Sequence, residues 1–280
     1  MAFAELKEAF RLLRQLPVLW LPGIAGGFLA AALWITFNLY GTFFAGRLMV
    51  ISGLVLLIFT TGMLTIIRNQ EGGILALLAG GIRYYFRVLL PQIVIVSGIV
   101  LIFMLLTVTL SLFGIADMGI ATALAFGFMT PTLIVTFFFD TAAVFEDRRI
   151  FDSIQRSIRL VFAQVNAVIA FLLVYLGIFI GGVIALTFVW EAFLFDKLEP
   201  VSRYNETQLQ SFTPEQLIAM IGPAGMWITA AILFTGVFLL LPILSCYKAC
   251  FFKKLAGGIT NITQQPTIGE YDSKGRWYKY

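Results

Sequence analysis

The chain has 280 residues, of which 60% are hydrophobic and 12% are charged, and its mean hydropathy is +0.95. Soluble domains contain roughly 45–50% apolar and about 25% charged residues, so this composition excludes a water-soluble globule. The apolar runs are about 20 residues or longer and do not alternate with polar residues, which excludes a β-barrel of short strands. The sequence therefore predicts an all-α fold, a polytopic membrane helix bundle.

Charge and rare residue types narrow the chemistry further. The net charge is +4, the chain has no histidine, and its 2 cysteines are too few for a disulfide framework. Without histidine, the commonest general base and metal ligand are missing, and we expect neither a metal nor another cofactor. In a membrane protein an excess of Lys and Arg is typical of cytoplasmic loops, so we expect no nucleic-acid partner.

About six apolar runs are long enough to cross a bilayer as transmembrane helices. In chain order they cover residues 17–39, 47–67, 88–113, 118–145, 160–189 and about 216–247. The sixth helix has a start signal, with Thr213 as N-cap, Pro214 at the first position and Gln216 three residues after the cap. Because the sixth run exceeds a ~30 Å hydrocarbon core, we expect its first turns to lie outside the membrane, with a bend at Gly222-Pro223.

Three amphipathic segments precede the odd-numbered spans, at residues 1–16, 72–87 and 146–159. Each has apolar residues on one helical face and arginines on the other, which is typical of helices that lie flat on a membrane surface. We expect the chain to turn into the next span at Pro17 and Pro91, and to continue as a bent helix at Asn166. Their arginines are candidates for binding anionic lipid headgroups: Arg11, Arg14, Arg83, Arg87, Arg148, Arg149, Arg156 and Arg159.

The distribution of basic residues predicts the orientation. In a six-span topology, all 19 Lys and Arg residues lie on one side except Arg47, Lys197 and Arg203. Basic residues concentrate on the cytoplasmic side, so we expect a multi-pass protein of the plasma membrane with both termini in the cytoplasm. The predicted membrane domain covers residues 1–254, and residues 255–280 form a polar cytoplasmic tail.

The order of amphipathic segment, span, outer loop and span recurs along the chain. The three units would be residues 1–71, 72–146 and 147–254, and Pro17 and Pro91 hold similar positions in the first two. One interpretation is a threefold internal repeat of parallel units with a site at their interface. The other is that any protein with an even number of spans and basic cytoplasmic loops produces this order. Both interpretations remain open.

Three short motifs carry a family resemblance: FRLLRQLP at 10–17, LPG at 21–23 and DSIQRS at 152–157. With them the chain resembles a broad prokaryotic family of uncharacterised six-span membrane proteins, which is similar to the membrane domain fused to some glycerophosphodiester phosphodiesterases. The resemblance covers about residues 1–250 and implies a helical membrane fold. The catalytic domain of the fused proteins has no counterpart here, so the resemblance implies no hydrolase activity.

Asp140 is the one ionisable residue inside a predicted span, and such residues are often functional. It is either a structural acid near the cytoplasmic interface, within reach of Arg148 and Arg149, or a cation or proton site. Pro131, in the same span, removes a backbone donor and would leave a carbonyl free to coordinate a ligand. Outside the membrane, Asn205 begins an Asn-Glu-Thr sequon, a candidate glycosylation site.

No enzyme motif accompanies these features: the sequence has no Walker A motif, no G-x-S-x-G and no Ser-His pair. We therefore expect a non-enzymatic integral membrane protein, a scaffold or an organiser of lipid. The alternative is a small transporter or channel for a lipid-like or weakly polar solute, because the polar residues within the spans are mostly threonines. The expected partners are membrane lipids with anionic headgroups, and a protein partner or a homo-oligomer is also open.

Overall fold

A computed structural model of the protein describes residues 2–70, 72–112, 114, 118–205, 211–263, 269–271 and 277–279. The fold is an all-α bundle, as predicted. In the described residues, five helices are long and apolar enough to cross a membrane: Pro17–Asn69, Ile74–Leu112, Thr122–Phe145, Val165–Phe193 and Gln216–Gly257. The chain is thus a multi-pass membrane protein.

The secondary structure contains nine helices within the described residues. They are α1 (Ala2–Gln15), α2 (Leu21–Asn69), α3 (Ile74–Leu112), α4 (Met118–Thr136), α5 (Phe139–Phe145), α6 (Ile150–Ala163), α7 (Val165–Phe193), α8 (Phe195–Leu198) and α9 (Pro214–Thr263). Short 3₁₀ helices cover Pro17–Trp20 and Glu199–Arg203, and the second of them follows α8 in the segment between α7 and α9. Beyond α9, the short strands Gly269–Tyr271 and Trp277–Lys279 pair in antiparallel fashion.

Helix α2 folds back on itself at Gly41, whose φ of 78° and ψ of −178° belong to a region that only glycine adopts readily. A Cβ on Gly26 would lie 3.3 Å from Leu56 Cδ1. In a straight helix these residues would be about 45 Å apart, so residues 21–40 and 42–69 are two arms packed side by side. The arms match the predicted spans at 17–39 and 47–67, and the count of six crossings remains a prediction.

The junctions between amphipathic segments and spans differ from the predictions in two of three cases. The turn at Pro17 is confirmed, because α1 ends before the 3₁₀ helix that begins there. The turn predicted at Pro91 is wrong, since α3 continues through it. The continuous helix predicted around Asn166 is also wrong: the helix breaks at Gln164, with φ −139° and ψ 50°.

The first turns of α3 pack tightly against the second arm of α2, which explains why this segment does not form a separate surface helix. A Cβ on Gly62 would lie 2.1 Å from the Leu77 carbonyl oxygen, and one on Gly81 would lie 2.2 Å from the Ile58 carbonyl oxygen. Small residues permit this close approach of two helix backbones. The segment therefore contacts protein on one face, while Leu75 and other large apolar residues stay exposed.

The buried core is formed by α1, the second arm of α2, the first half of α3, α5, α6, the start of α7 and the last part of α9. Helix α1 buries Ala9 and Leu13, and α6 buries Leu160. The largest fully buried side chains include Leu19, Met63, Leu77, Phe138, Phe171, Tyr247 and Phe252. Elsewhere α2, α3 and α7 expose large apolar side chains, as expected of helices that face lipid: Phe28, Phe44, Leu101, Leu173 and Phe188.

Two local predictions about α9 are confirmed. The Gln216 N–H donates to Thr213 Oγ1 at 3.3 Å and the Thr213 N–H donates to Gln216 Oε1 at 2.9 Å, a reciprocal cap. The bend falls at Gly222, with φ 62° and ψ −169°. At its other end, α9 extends past residue 255 into the predicted polar tail.

Candidate functional site

The site begins at a break between α4 and α5 that orients Asp140. Helix α4 runs through Pro131, which is exposed, and ends at Thr136. Ser157 of α6 bridges the break: its hydroxyl donates to the Val135 carbonyl at 2.8 Å and accepts the Phe138 N–H at 3.0 Å. Asp140 consequently lies in the first turn of α5 and faces α9.

Asp140 forms an ion pair with Lys248 of α9. The Lys248 ammonium lies 2.7 Å from Asp140 Oδ1 and 2.8 Å from Oδ2, and it lies 4.5 Å from the centre of the Phe137 ring. The Thr141 N–H donates to Oδ1 at 2.7 Å. The expected pairing of Asp140 with Arg148 or Arg149 is wrong, because the start of a new helix at Phe139 orients the carboxylate towards α9.

The ion pair lines a cavity of about 440 Å³, which we call the polar cleft. Its polar side chains come from five helices: Thr60, Thr61, Gln92, Thr136, Asp140 and Lys248. The hydroxyls of Thr60 and Thr136 donate to carbonyls of their own helices, at 3.2 Å and 2.7 Å. Thr61 is 1% exposed, and its hydroxyl has no hydrogen-bond partner among the residues that the structure describes. An unsatisfied buried hydroxyl costs about 1–3 kcal/mol, which a bound ligand can recover.

An apolar cavity of about 360 Å³ adjoins the polar cleft between α3 and α4, and the two share Ile99. Its lining includes Ile102, Phe103, Phe128 and Met129. From Val88 in the polar cleft to Phe103, α3 rises about 22 Å. We call these two neighbouring cavities the groove: the ion pair lines the first, and the lining of the second is almost entirely apolar.

Three tryptophans lie at the end of the bundle opposite to the Asp140–Lys248 ion pair. Trp34 Nε1 donates to the Met226 carbonyl at 3.2 Å, and Trp190 Nε1 donates to Thr229 Oγ1 at 2.8 Å, close to the exposed Trp227. Tryptophan is enriched at membrane interfaces. Lys248 lies about 32 Å further along α9, comparable to a ~30 Å hydrocarbon core. With the tryptophans placed at one membrane interface, the ion pair would lie at the depth of the headgroups of the other leaflet.

The eight arginines predicted to bind headgroups fall into two groups. Four pair with carboxylates: Arg11 with Glu8, Arg87 with Asp147, Arg148 with Glu146 at 3.2 Å, and Arg156 with Glu146 at 2.8 Å. Of the others, Arg83 lies 5.5 Å from the Tyr84 ring centre. Arg14, Arg149 and Arg159 are exposed and make no ion pair within the part of the chain that the structure describes.

Arg68 is a structural residue that the sequence analysis did not single out. Its guanidinium donates to the Tyr84 hydroxyl at 2.9 Å and to the Val144 carbonyl at 2.7 Å, which joins α2, α3 and α5. Its position in the last turn of α2 is the one signal in the sequence, and that signal does not reveal its partners.

The predicted glycosylation site is only partly described. Asn205 is exposed after the second 3₁₀ helix, while Glu206 and Thr207 lie outside the described residues. Glycosylation of Asn205 stays a prediction.

No protein family, curated protein or solved structure matches the chain. The resemblance to a prokaryotic six-span family therefore also stays a prediction.

Proposed function

We propose that the protein is a non-enzymatic membrane protein that binds and organises lipid, with a lipid held in the groove formed by the polar cleft and its apolar neighbour. One observation carries the proposal: the groove has an ion pair and a buried, unpaired hydroxyl at headgroup depth, followed by an apolar cavity. This order of polar and apolar surface matches an amphipathic molecule. A headgroup would contact Lys248 and Asp140, and an acyl chain would lie along α3.

The distribution of polar groups supports binding over conduction of a hydrated solute. A path for a hydrated solute typically has several inward polar or ionisable groups. In the apolar cavity the lining hydroxyls are those of Thr122 and Thr132, and the Thr132 hydroxyl donates to its own helix, at the Phe128 carbonyl. A transporter for a lipid-like solute would use the same groove and remains the alternative. Lipid transfer between the leaflets of proteoliposomes would distinguish it from a binding protein.

Filling the groove should displace the lipid. Ile99→Trp places a large side chain where the two cavities join, and we expect it to lower retained phospholipid at least fivefold in native mass spectrometry of the purified full-length chain. Leu173→Trp is the matched control, because Leu173 is 67% exposed on α7, away from the groove. Equal lipid retention in both variants and the wild type would contradict the proposal.

We further propose that the protein lies in the plasma membrane with its Lys248 end facing the cytoplasm, and the positive-inside distribution of Lys and Arg supports this orientation. Both native cysteines are buried, so they should not react with impermeant maleimides in the folded protein. In intact cells, Asn205→Cys should be labelled from outside, and Gln155→Cys, exposed on α6, only after lysis. Labelling of Gln155→Cys in intact cells, with Asn205→Cys protected, would reverse the topology.

A further inference from the structure

Resting on the proposed lipid-binding function, we infer that the polar cleft selects a zwitterionic headgroup that carries a phosphate and a primary ammonium, the chemistry of phosphatidylethanolamine. The inference starts from the charge of the cleft. Asp140 and Lys248 are the ionised residues that line it within the described part of the chain, so the lining is neutral overall. The anionic headgroups expected from the sequence suit the exposed arginines, not this cleft.

A neutral ion pair discriminates against headgroups with a single charge. A purely anionic headgroup beside Lys248 would also lie close to the Asp140 carboxylate, because the two groups are 2.7 Å apart. A purely cationic one would lie close to the ammonium. A zwitterion satisfies both members of the pair, with its phosphate on Lys248 and its ammonium on Asp140.

The hydrogen-bonding capacity left over in the pair matches such a headgroup. An ammonium has three donors, and contacts to the two Asp140 oxygens leave one for a phosphate oxygen. A carboxylate accepts about four hydrogen bonds, and three of these come from the two Lys248 contacts and the Thr141 N–H. The Thr141 hydroxyl lies 3.2 Å from both Asp140 Oδ1 and the Phe138 carbonyl, and when it donates to the carbonyl, Asp140 can accept one further donor. A primary ammonium can donate this bond, whereas the quaternary ammonium of phosphatidylcholine has no N–H.

Thr61 supplies the second, independent observation. Thr61 lines the cleft, and its hydroxyl is buried and has no hydrogen-bond partner among the described residues. It can donate to a phosphate or ester oxygen of the bound lipid, which would remove the cost of leaving it unsatisfied. Thr61 therefore adds affinity, and the ion pair adds the preference between headgroups.

The test is competition among headgroups on the full-length protein. The chain is equilibrated with an equimolar mixture of phosphatidylethanolamine, phosphatidylcholine and phosphatidylglycerol with identical acyl chains, and bound lipid is quantified by native mass spectrometry. We expect phosphatidylethanolamine to exceed each of the others about tenfold, equivalent to about 1.4 kcal/mol. Thr61→Val, which removes the hydroxyl but keeps the shape, should lower its retention about fivefold. Thr107→Val is the control, because Thr107 is exposed on α3 and donates to its own helix.

The outcomes separate the inference from the proposed function. If the wild type retains all three lipids in equal amounts, and Ile99→Trp lowers that retention, the headgroup inference is overturned and the proposed lipid binding stands. A preference for phosphatidylglycerol would overturn it in favour of an anionic headgroup. Absence of any retained lipid would overturn the proposed function itself. The wild-type comparison and Thr61→Val both leave the ion pair intact, so neither depends on how a variant of that pair folds.

Discussion

Gly62→Ala should destabilise the protein by about 3 kcal/mol, because the new methyl group would meet backbone that has no room to move. A Cβ on Gly62 would lie 2.1 Å from the Leu77 carbonyl oxygen and 2.9 Å from its carbon. Either α2 and α3 separate or one of them bends, and both changes disturb the wall of the polar cleft next to Thr61. We therefore expect lower lipid retention together with the lower stability.

Gly53→Ala is the matched control for this prediction. Gly53 lies on the same arm of α2, and outside its own helical turn a Cβ there would meet no atom of the described residues within 4 Å. Replacing an exposed helical glycine by alanine favours the helix by about 0.5–1 kcal/mol, so this variant should be as stable as the wild type or slightly more so. Thermal unfolding in detergent, followed by intrinsic fluorescence, measures the stability of both variants. Equal unfolding temperatures for the two variants would show that the helix contact is not as close as the structure has it.

The second large effect is expected at the ion pair. Lys248→Met should destabilise the protein by roughly 2–3 kcal/mol, because it leaves the Asp140 carboxylate without a counter-charge in a largely apolar setting. Both side chains are partly exposed, at 15% for Lys248 and 24% for Asp140, which keeps the cost below that of a fully buried pair. Asp140→Asn should cost about 1 kcal/mol, since the amide oxygen can still accept from the Thr141 N–H.

A double-mutant cycle measures the coupling of the pair. The variant that combines Asp140→Leu with Lys248→Met carries neither charge, so we expect it to be more stable than Lys248→Met alone. A double variant whose loss equals the sum of the losses of Asp140→Leu alone and Lys248→Met alone would mean that the residues do not interact in the membrane. Because the double variant keeps the apolar groove, it should still retain lipid but without preference among headgroups.

Features that depend on residues close in sequence were predictable here. The capping pair of Thr213 and Gln216, the bend at Gly222 and the turn at Pro17 each depend on a few neighbouring residues, and the structure confirms all three. The fold class was also predictable, because composition alone decides between water and lipid as the solvent.

The candidate site was only partly predictable. Asp140 was identified because an acid within an apolar run is conspicuous in sequence. Its partner Lys248 follows a different span and served in the sequence analysis only as evidence for orientation. Thr61 was one of several threonines within spans, and Pro131, which the sequence favoured, is exposed and outside the groove.

By itself the sequence determined that the chain forms long helices in a membrane and roughly where most of them begin and end, since backbone hydrogen bonding in lipid leaves few alternatives. The tertiary structure alone decided that α3 passes through Pro91, that the arms of α2 meet at Gly26 and Leu56, and that Asp140 pairs with Lys248. The physical reason is that lipid is as apolar as a protein interior. An apolar helix face therefore looks the same in sequence whether it contacts lipid or another helix, and close fit in three dimensions decides which.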